Sequence, residues 1–270
     1  MAIVKYSEEF VREVESYFLN NTETSCRNLG KLFGISKDMA LKIMQPHIKP
    51  KELKKFNREF FKEIDTEEKA YWLGFSMADA SIELLRNGGS YEITLCEEDK
   101  SHLEKFIKAL GSEHTLKRRE IKLNGYDKIH IAYRLVLCGY EFTKSLERRG
   151  CIARKSLIKT FPTEEQCPKE FLRHYLRGYV DGNGHLDLKK NGITTVFQLD
   201  SSKYFLDGFI NYIEKIFPEF KNRIEVKNRQ GKNGYYIRLS TNISTPIIKY
   251  LYSNSNIYLD RKYNKIKKLL

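Results

Sequence analysis

The stretch LRGYVDGNGHL, Leu176 to Leu186, has a near-copy upstream in WLGFSMADASI, Trp72 to Ile82. Aligned on their glycines, Leu176 falls on Trp72, Gly178 on Gly74, Tyr179 on Phe75 and Gly182 on Ala78, a displacement of 104 residues (178 − 74). Two tandem copies of roughly a hundred residues make a pseudo-dimer in one chain; a solenoid needs shorter and more numerous units. The copies differ where the first carries charge, since Asp79 is matched by Asn183.

The register of the repeat extends well beyond this helix end. Asn87-Gly88 and Asn191-Gly192 both begin 8 residues later (87 − 79, 191 − 183), as hairpin signals between strand-like runs. Thr94 and Gln198 both stand 15 residues on, in the return strands (94 − 79, 198 − 183). Helical runs follow in EDKSHLEKFIKALG and SSKYFLDGFINYIEKIF, and second hairpins at Asn124-Gly125-Tyr126 and Asn233-Gly234-Tyr235. Each copy closes on a helix and an Arg-Lys pair, Arg154-Lys155 and Arg261-Lys262. The fold class is therefore α+β: two tandem αββαββα repeats, 65–160 and 161–270, with antiparallel sheets. The strands alternate. RIEVKNR sets Arg223, Glu225, Lys227 and Arg229 against Ile224 and Val226; YYIRLS sets Tyr236, Arg238 and Ser240 against Tyr235, Ile237 and Leu239; KIHIAYRL sets His130 and Arg134 against Ile129, Ile131, Tyr133 and Leu135. A solvated outer face reads the same way in any one strand. Its recurrence in both copies favours a nucleic-acid groove.

Ahead of the repeats, residues 1–48 form a small all-α region. Ser7 caps a helix with Phe10, Val14, Tyr17 and Phe18 at helical spacing. SCRNLGKLFGISKDMALKIM then places a Gly34-Ile35-Ser36 turn between two short helices, the second opening with Lys37. That is a helix-turn-helix pattern, with a bundle used for contacts within the protein as the alternative. A basic connector, 49–64, leads into the first repeat. The whole chain carries 48 Lys+Arg against 35 Asp+Glu, a net +13, which favours a polyanionic partner, nucleic acid before an anionic membrane. Five widely spaced cysteines without a C-x-x-C favour reduced, mostly buried thiols over disulfides or a zinc site. No secretion signal and no membrane-length apolar run is present, which implies a cytoplasmic (bacterial or phage-encoded) or organellar setting.

The chemistry concentrates at the two helix ends. Gly74/Ala78 and Gly178/Gly182 each put small residues four apart on one face, so the two helices are expected to pack closely, about a two-fold, with their C-termini side by side. Glycine within a helix costs roughly 1 kcal/mol against alanine, which calls for such a reason. Asp79 then lies at a helix C-terminus, where a carboxylate is disfavoured by about 0.3–1 kcal/mol unless a cation is bound. Mg²⁺ suits such a place, because it wants few carboxylates and accepts water and phosphate oxygens.

YWLGFSMADAS and YLRGYVDGNGH resemble the two motifs of a single-chain LAGLIDADG homing endonuclease, and LERRGCIARKSLIKTFP and YLDRKYNKIKK resemble the closes of its two halves. The resemblance covers residues from about 65 to 270. It implies two curved sheets forming a pseudo-two-fold saddle over a long, specific double-stranded DNA target, read mainly through the major groove, and a monomer that does not bind membranes. It implies hydrolysis of phosphodiester bonds with Mg²⁺ or another divalent cation such as Mn²⁺ or Ca²⁺, in the service of intron or intein mobility. Asp79 matches the acid that binds metal, and Asn183 stands where a second acid is expected. The backbone at Ala80 and Gly184 is implied as further metal ligands, and Lys155 and Lys262 as basic residues near the scissile phosphates, with phosphate-positioning or solvated lysines as the alternative. DNA contacts are implied for Arg119, His130, Arg134, Gln198, Arg223, Lys227, Arg229, Tyr236 and Arg238, with Lys37 in the N-terminal region.

Asparagine keeps the shape of aspartate but supplies no charge and one good ligating oxygen, and Asn183-Gly184 is an acceptable helix stop. Asp181, two residues earlier, points to a different side. The expectation is a specific DNA-binding protein that is attenuated, nicks one strand or is inactive. The alternatives are a transcriptional regulator or an intron-RNA maturase that retains the fold.

Overall fold

Three serines start the helices of the N-terminal unit. The computed structural model describes residues 6–47, 54–85, 88–122, 129–153, 158–229 and 234–270, and the chain divides into two units, Met1–Leu53 and Lys54–Leu270. In the first, the hydroxyls of Ser7, Ser25 and Ser36 accept from the backbone N–H of Phe10, Asn28 and Met39 and so begin α1 (Glu8–Asn20), α2 (Cys26–Phe33) and α3 (Lys37–Met44). Gly34, with φ 65°, ends α2 in the left-handed region that suits glycine. Val14, Phe18, Leu29, Ile35, Ala40, Ile43 and Met44 form this unit's own core.

In the second unit each repeat runs helix, hairpin, helix, hairpin, helix. The first comprises α4 (Glu67–Asp79), β1 (Ser81–Leu85), β2 (Gly88–Cys96), α5 (Lys100–Ala109), β3 (Lys117–Lys122), β4 (Ile129–Cys138) and α6 (Tyr140–Arg148). The second comprises α7 (Leu172–Asn183), β5 (Gly184–Leu188), β6 (Thr195–Ser201), α8 (Lys203–Ile216), β7 (Lys227–Asn228), β8 (Tyr235–Leu239) and α9 (Thr241–Tyr252), followed by α10 (Asp260–Ile266). The two antiparallel sheets have matching orders, β1-β2-β4-β3 and β5-β6-β8-β7. One face of each is apolar and closes the shared core: Ile82, Tyr91, Ile93, Leu135 and Leu137 in the first, Leu186, Phe197, Leu199, Ile237 and Leu239 in the second.

The helix pair at the centre is held by backbone contact. A Cβ on Gly74 would lie 1.9 Å from the Tyr175 carbonyl oxygen, and one on Gly178 would lie 2.0 Å from that of Tyr71. Tyr71 and Tyr175 are themselves 104 residues apart (175 − 71), so the two contacts are reciprocal about a pseudo-two-fold axis. Neither glycine is required by its backbone angles; both are required by the neighbour. Burial is nearly complete from Ala70 to Met77 and from Tyr175 to Asp181.

Several expectations are corrected. RIEVKNR is not a full strand: only Lys227 and Asn228 pair, with Tyr236 and Tyr235. The chain arrives from a turn at Asn222 (φ 60°), and Ile224 is drawn into the core before pairing begins. The connector is also more than a tether. Phe60, Phe61 and Ile64 are buried in the first repeat's core, and the Asn57 N–H donates to the Leu110 carbonyl, while Lys54, Lys55 and Arg58 stay exposed. All five cysteines are free, but only Cys151 and Cys167 are buried; Cys96 and Cys138 are exposed, at the ends of β2 and β4, where the strands leave the core. Among the described residues no helix is long and apolar enough to cross a membrane.

The close helix contact generates a direct test. Gly178→Ala is expected to lower unfolding stability by about 3 kcal/mol, because backbone must move to admit one methyl group. Gly88→Ala, whose Cβ would meet nothing within 4 Å, is expected to stay within about 0.5 kcal/mol of the parent. Urea denaturation followed by circular dichroism measures both.

Candidate active site at the paired helix ends

Because α4 and α7 touch at Gly74 and Gly178, they also end together. Asp79 is the last residue of α4 and exposed; Asn183 is the last of α7 and half-buried. A Cβ on Gly182 would lie 2.2 Å from Ala78 Cβ and 3.2 Å from Asp79 Oδ2, so the carboxylate sits directly against the end of the opposite helix. Gly184 has an extended backbone (φ −91°), not a left-handed one; it is glycine because a Cβ there would lie 2.5 Å from the Val180 carbonyl oxygen.

The amide of Asn183 is committed. Its Nδ2 donates to Tyr179 Oη at 3.1 Å, and that phenol in turn lies 2.6 Å from Ser201 Oγ. Burial pushes the Tyr179 pKa well up, so the hydroxyl remains protonated near neutral pH. Asp181 takes no part in this site: it is buried, accepting from Tyr71 Oη at 2.7 Å, Tyr252 Oη at 2.6 Å and the Leu259 N–H at 2.8 Å.

Each helix end meets an ammonium. Lys262 is buried, and its Nζ donates to the carbonyls of Val180 (3.0 Å) and Gly182 (3.5 Å) and to those of Asp181 and Gly184. Burial lowers its pKa to about 8, against the pull of Asp181 and Asp79. At α4 the same service comes from Lys159, whose Nζ donates to the Ala78 carbonyl at 3.1 Å and lies 5.4 Å from the Tyr179 ring centroid. Ala78 and Gly182 are equivalent in the repeat, so Lys159 is the partner of Lys262. Lys155, with Arg154, lies outside the described residues, as do the hairpin positions Asn87, Asn124 to Tyr126 and Asn233. The offsets carried the signal for Lys159: it stands 80 residues after Asp79 (159 − 79), and Lys262 stands 79 after Asn183 (262 − 183), whereas Lys155 stands 76 after (155 − 79). The conspicuous Arg-Lys pair drew attention away from it.

One reading of metal binding changes accordingly. The negative end of each helix already faces a lysine, so Asp79 does not by itself demand a bound cation. The Gly184 carbonyl accepts from Lys262, and at the equivalent place in the first repeat the Ala80 N–H closes α4 on the Ser76 carbonyl. Among the described residues no group of three or more His, Cys, Asp or Glu side chains is placed to hold a metal. The side chains at the paired ends are one exposed carboxylate, Asp79, and one half-buried carboxamide, Asn183. That donor set fits a hard divalent ion whose other positions are filled by water and phosphate oxygens.

The outer faces of the two sheets gather most of the other residues singled out. Thr94, Arg134 and Lys117 stand across from one another, and Arg119 and His130 fall on the same face by alternation. In the second sheet His185, Gln198 and Arg238 are in line, followed by Asp200, Tyr236 and Lys227. Arg229 joins them, with its guanidinium 5.9 Å from the Tyr236 ring centroid and paired with Asp200. Arg134 is paired with Glu92, and Gln198 donates to Asp200 at 3.0 Å. Arg223 precedes β7, outside the paired strands, with its guanidinium 5.9 Å from the Phe220 ring centroid. Lys37, on α3, belongs to the separate N-terminal unit.

The α7-to-α10 segment, residues 170–265, matches the family model described as a LAGLIDADG-like domain. No curated protein matches the chain. Among solved structures it is similar in fold to the homing endonuclease I-WcaI bound to its DNA recognition sequence, at 15% identity and TM-score 0.54, over 79% of this chain and 91% of that one. Two further LAGLIDADG proteins align more loosely. I-LtrWI bound to target DNA does so at 14% identity and TM-score 0.44 over 78% and 89% of the two chains. I-SmaMI bound to uncleaved DNA with calcium ions does so at 13% and 0.42 over 74% and 88%. The chain thus has the α+β fold of the LAGLIDADG homing endonucleases, with a helix C-terminus from each repeat at its centre.

The lysines give a prediction about stability. Lys262→Met strands several carbonyls in a buried place and is expected to cost about 3 kcal/mol. Lys159→Met, which removes the donor to the Ala78 carbonyl, is also expected to destabilise, by about 1–3 kcal/mol. Denaturant midpoints at constant m-value measure both.

Proposed function

We propose that this chain is a site-specific, divalent-metal-dependent DNA endonuclease in which one of two paired positions is disabled, so that it nicks or fails to cut its target. The observation that carries the reading is the placement of Asp79 against the end of α7, with the uncharged Asn183 in the equivalent position of the second repeat. A duplex has two strands related by a two-fold, and a protein with a pseudo-two-fold can present one helix end to each. A divalent ion held at Asp79, with the Asn183 side-chain oxygen as a second donor, would activate water and offset charge on the leaving oxygen. The chain's own residues do the rest. Asp79 supplies negative charge at an exposed position. Lys159 and Lys262 fix the helix ends, and Tyr179 fixes the Asn183 amide. The outer sheet faces, with Arg119, His130, Arg134, Lys227, Arg229, Tyr236 and Arg238, are suited to base edges and phosphates. The ion pairs Arg134–Glu92 and Arg229–Asp200 would have to open to release those guanidinium groups.

A second reading, a DNA-binding regulator that no longer cuts, is favoured by one observation. The Asn183 amide is engaged in a hydrogen-bond chain with Tyr179 and Ser201 and does not need a metal to hold it. An intron-RNA-binding role has no such support and is an outcome of the tests.

Cleavage of a supercoiled plasmid carrying the gene's own flanking DNA, with Mg²⁺, separates the readings. This chain is expected to give nicked product or none, Asn183→Asp linear product, and the Asp79→Asn variant no product. No cut from Asn183→Asp on DNA that the protein demonstrably binds would favour the regulator. Linear product from the unaltered chain would contradict a disabled position.

A further inference from the structure

The N-terminal unit, described by itself, has a surface sorted by charge. The helix α1 carries Glu8, Glu9, Glu13 and Glu15 against a single Arg12. The pair α2 and α3 reverses this, with Arg27, Lys31, Lys37 and Lys42 against a single Asp38. All four of these cations are exposed. Net charge over the unit is near neutral, so the composition of this region alone does not reveal the basic face.

The α2–α3 corner is rigid. Three residues, Gly34, Ile35 and Ser36, join the helices. Ile35 is buried, its N–H donates to the Gly30 carbonyl at 2.9 Å, and a Cβ on Gly30 would lie 2.8 Å from the Ile35 carbonyl oxygen. Ala40, Ile43 and Met44 turn one side of α3 into the core. The opposite side leaves Lys37, Asp38, Leu41, Lys42 and Gln45 in solvent, with Leu41 43% exposed although nothing in the unit requires an apolar residue there.

We propose that this unit is a second, separate duplex-DNA-binding site, with α3 as the helix that enters the major groove. The chemistry of its exposed side fits base edges better than phosphates alone: lysine for guanine acceptors, aspartate for the cytosine amino group, leucine for the thymine methyl group, and glutamine for adenine. Arg27 and Lys31 on α2 are suited to the backbone, where contacts position without specifying sequence. The acidic α1 repels phosphate and so selects the face that docks. This site does not depend on the endonuclease reading, which concerns residues 54–270.

The test is selection of bound duplexes from a random 60-base-pair library with the full chain, repeated with a Lys37→Glu/Leu41→Glu double variant. Both positions are exposed, and an unchanged denaturant midpoint verifies folding. Two separated blocks of fixed sequence are expected with the parent chain. In the double variant the shorter block disappears, the longer one persists, and affinity for the parent-selected duplex falls about 10- to 100-fold at physiological salt. Arg27→Ala is expected to keep both blocks and to reduce the slope of log affinity against log salt by about one. Identical blocks, affinities and slopes in parent and variants would overturn the proposal, as would enrichment of structured RNA over duplex DNA that depends on Lys37. Loss of the longer block from the parent chain, with the shorter one retained, would support this site while contradicting DNA recognition by the repeats.

Discussion

The approach of α4 and α7 at Gly74 and Gly178 is the contact on which the rest of the molecule depends. Each glycine lets the other helix's backbone come where a methyl group could not fit, and the two contacts are reciprocal. That closeness makes one core out of two repeats and sets both sheets about one axis. It also brings Asp79 to the end of α7 without any loop to position it. The site is therefore a consequence of packing: its geometry is as fixed as the most buried part of the fold.

The pseudo-symmetry is broken by polar residues that only the second repeat carries. Arg177, where the first repeat has Leu73, is wholly buried and donates to the carbonyls of Ile257 and Leu251 and to Glu67 Oε1 at 2.6 Å. Asp181, where the first has Met77, accepts from Tyr71, Tyr252 and Leu259; burial pushes its pKa up while Lys262 and these donors oppose. Both groups tie the segment after α9 to the central helices. Beyond it, α10 reaches the first repeat through Lys105–Asp260 (2.7 Å) and Arg261–Asp99 (2.8 Å). Lys262 follows them on α10, and the carbonyls of Val180, Asp181, Gly182 and Gly184 are what hold its ammonium inside the protein at a helix end. Removing one partner of such a buried polar group leaves the other uncompensated, which costs far more than the intact pair contributes.

Much of this was legible in the sequence because the repeat supplies an internal control. A hairpin signal or a small residue means little once; at the same offset twice it defines a register, and the close helix pair followed from four small residues on two faces. What was not legible depended on contacts across long separations. Lys159 looks like any lysine until its carbonyl partner is known, although its offset matched that of Lys262. The aromatic residues Phe60 and Phe61 sit among so many charges that their burial is hidden by composition. The short β7 follows a left-handed turn at Asn222 that the alternation of RIEVKNR does not signal, and the engagement of the Gly184 carbonyl by Lys262 could not be inferred from a motif that implies it as a ligand.

The account's central claim is that the paired helix ends offer one charged and one uncharged position to a shared duplex. The most direct measurement is a Mn²⁺ titration followed by electron paramagnetic resonance, with the protein bound to a duplex of its flanking DNA, compared between this chain and Asn183→Asp. The account predicts at least one more tightly bound ion in the Asn183→Asp complex than in that of the unaltered chain. Equal numbers of ions in the two complexes would contradict it.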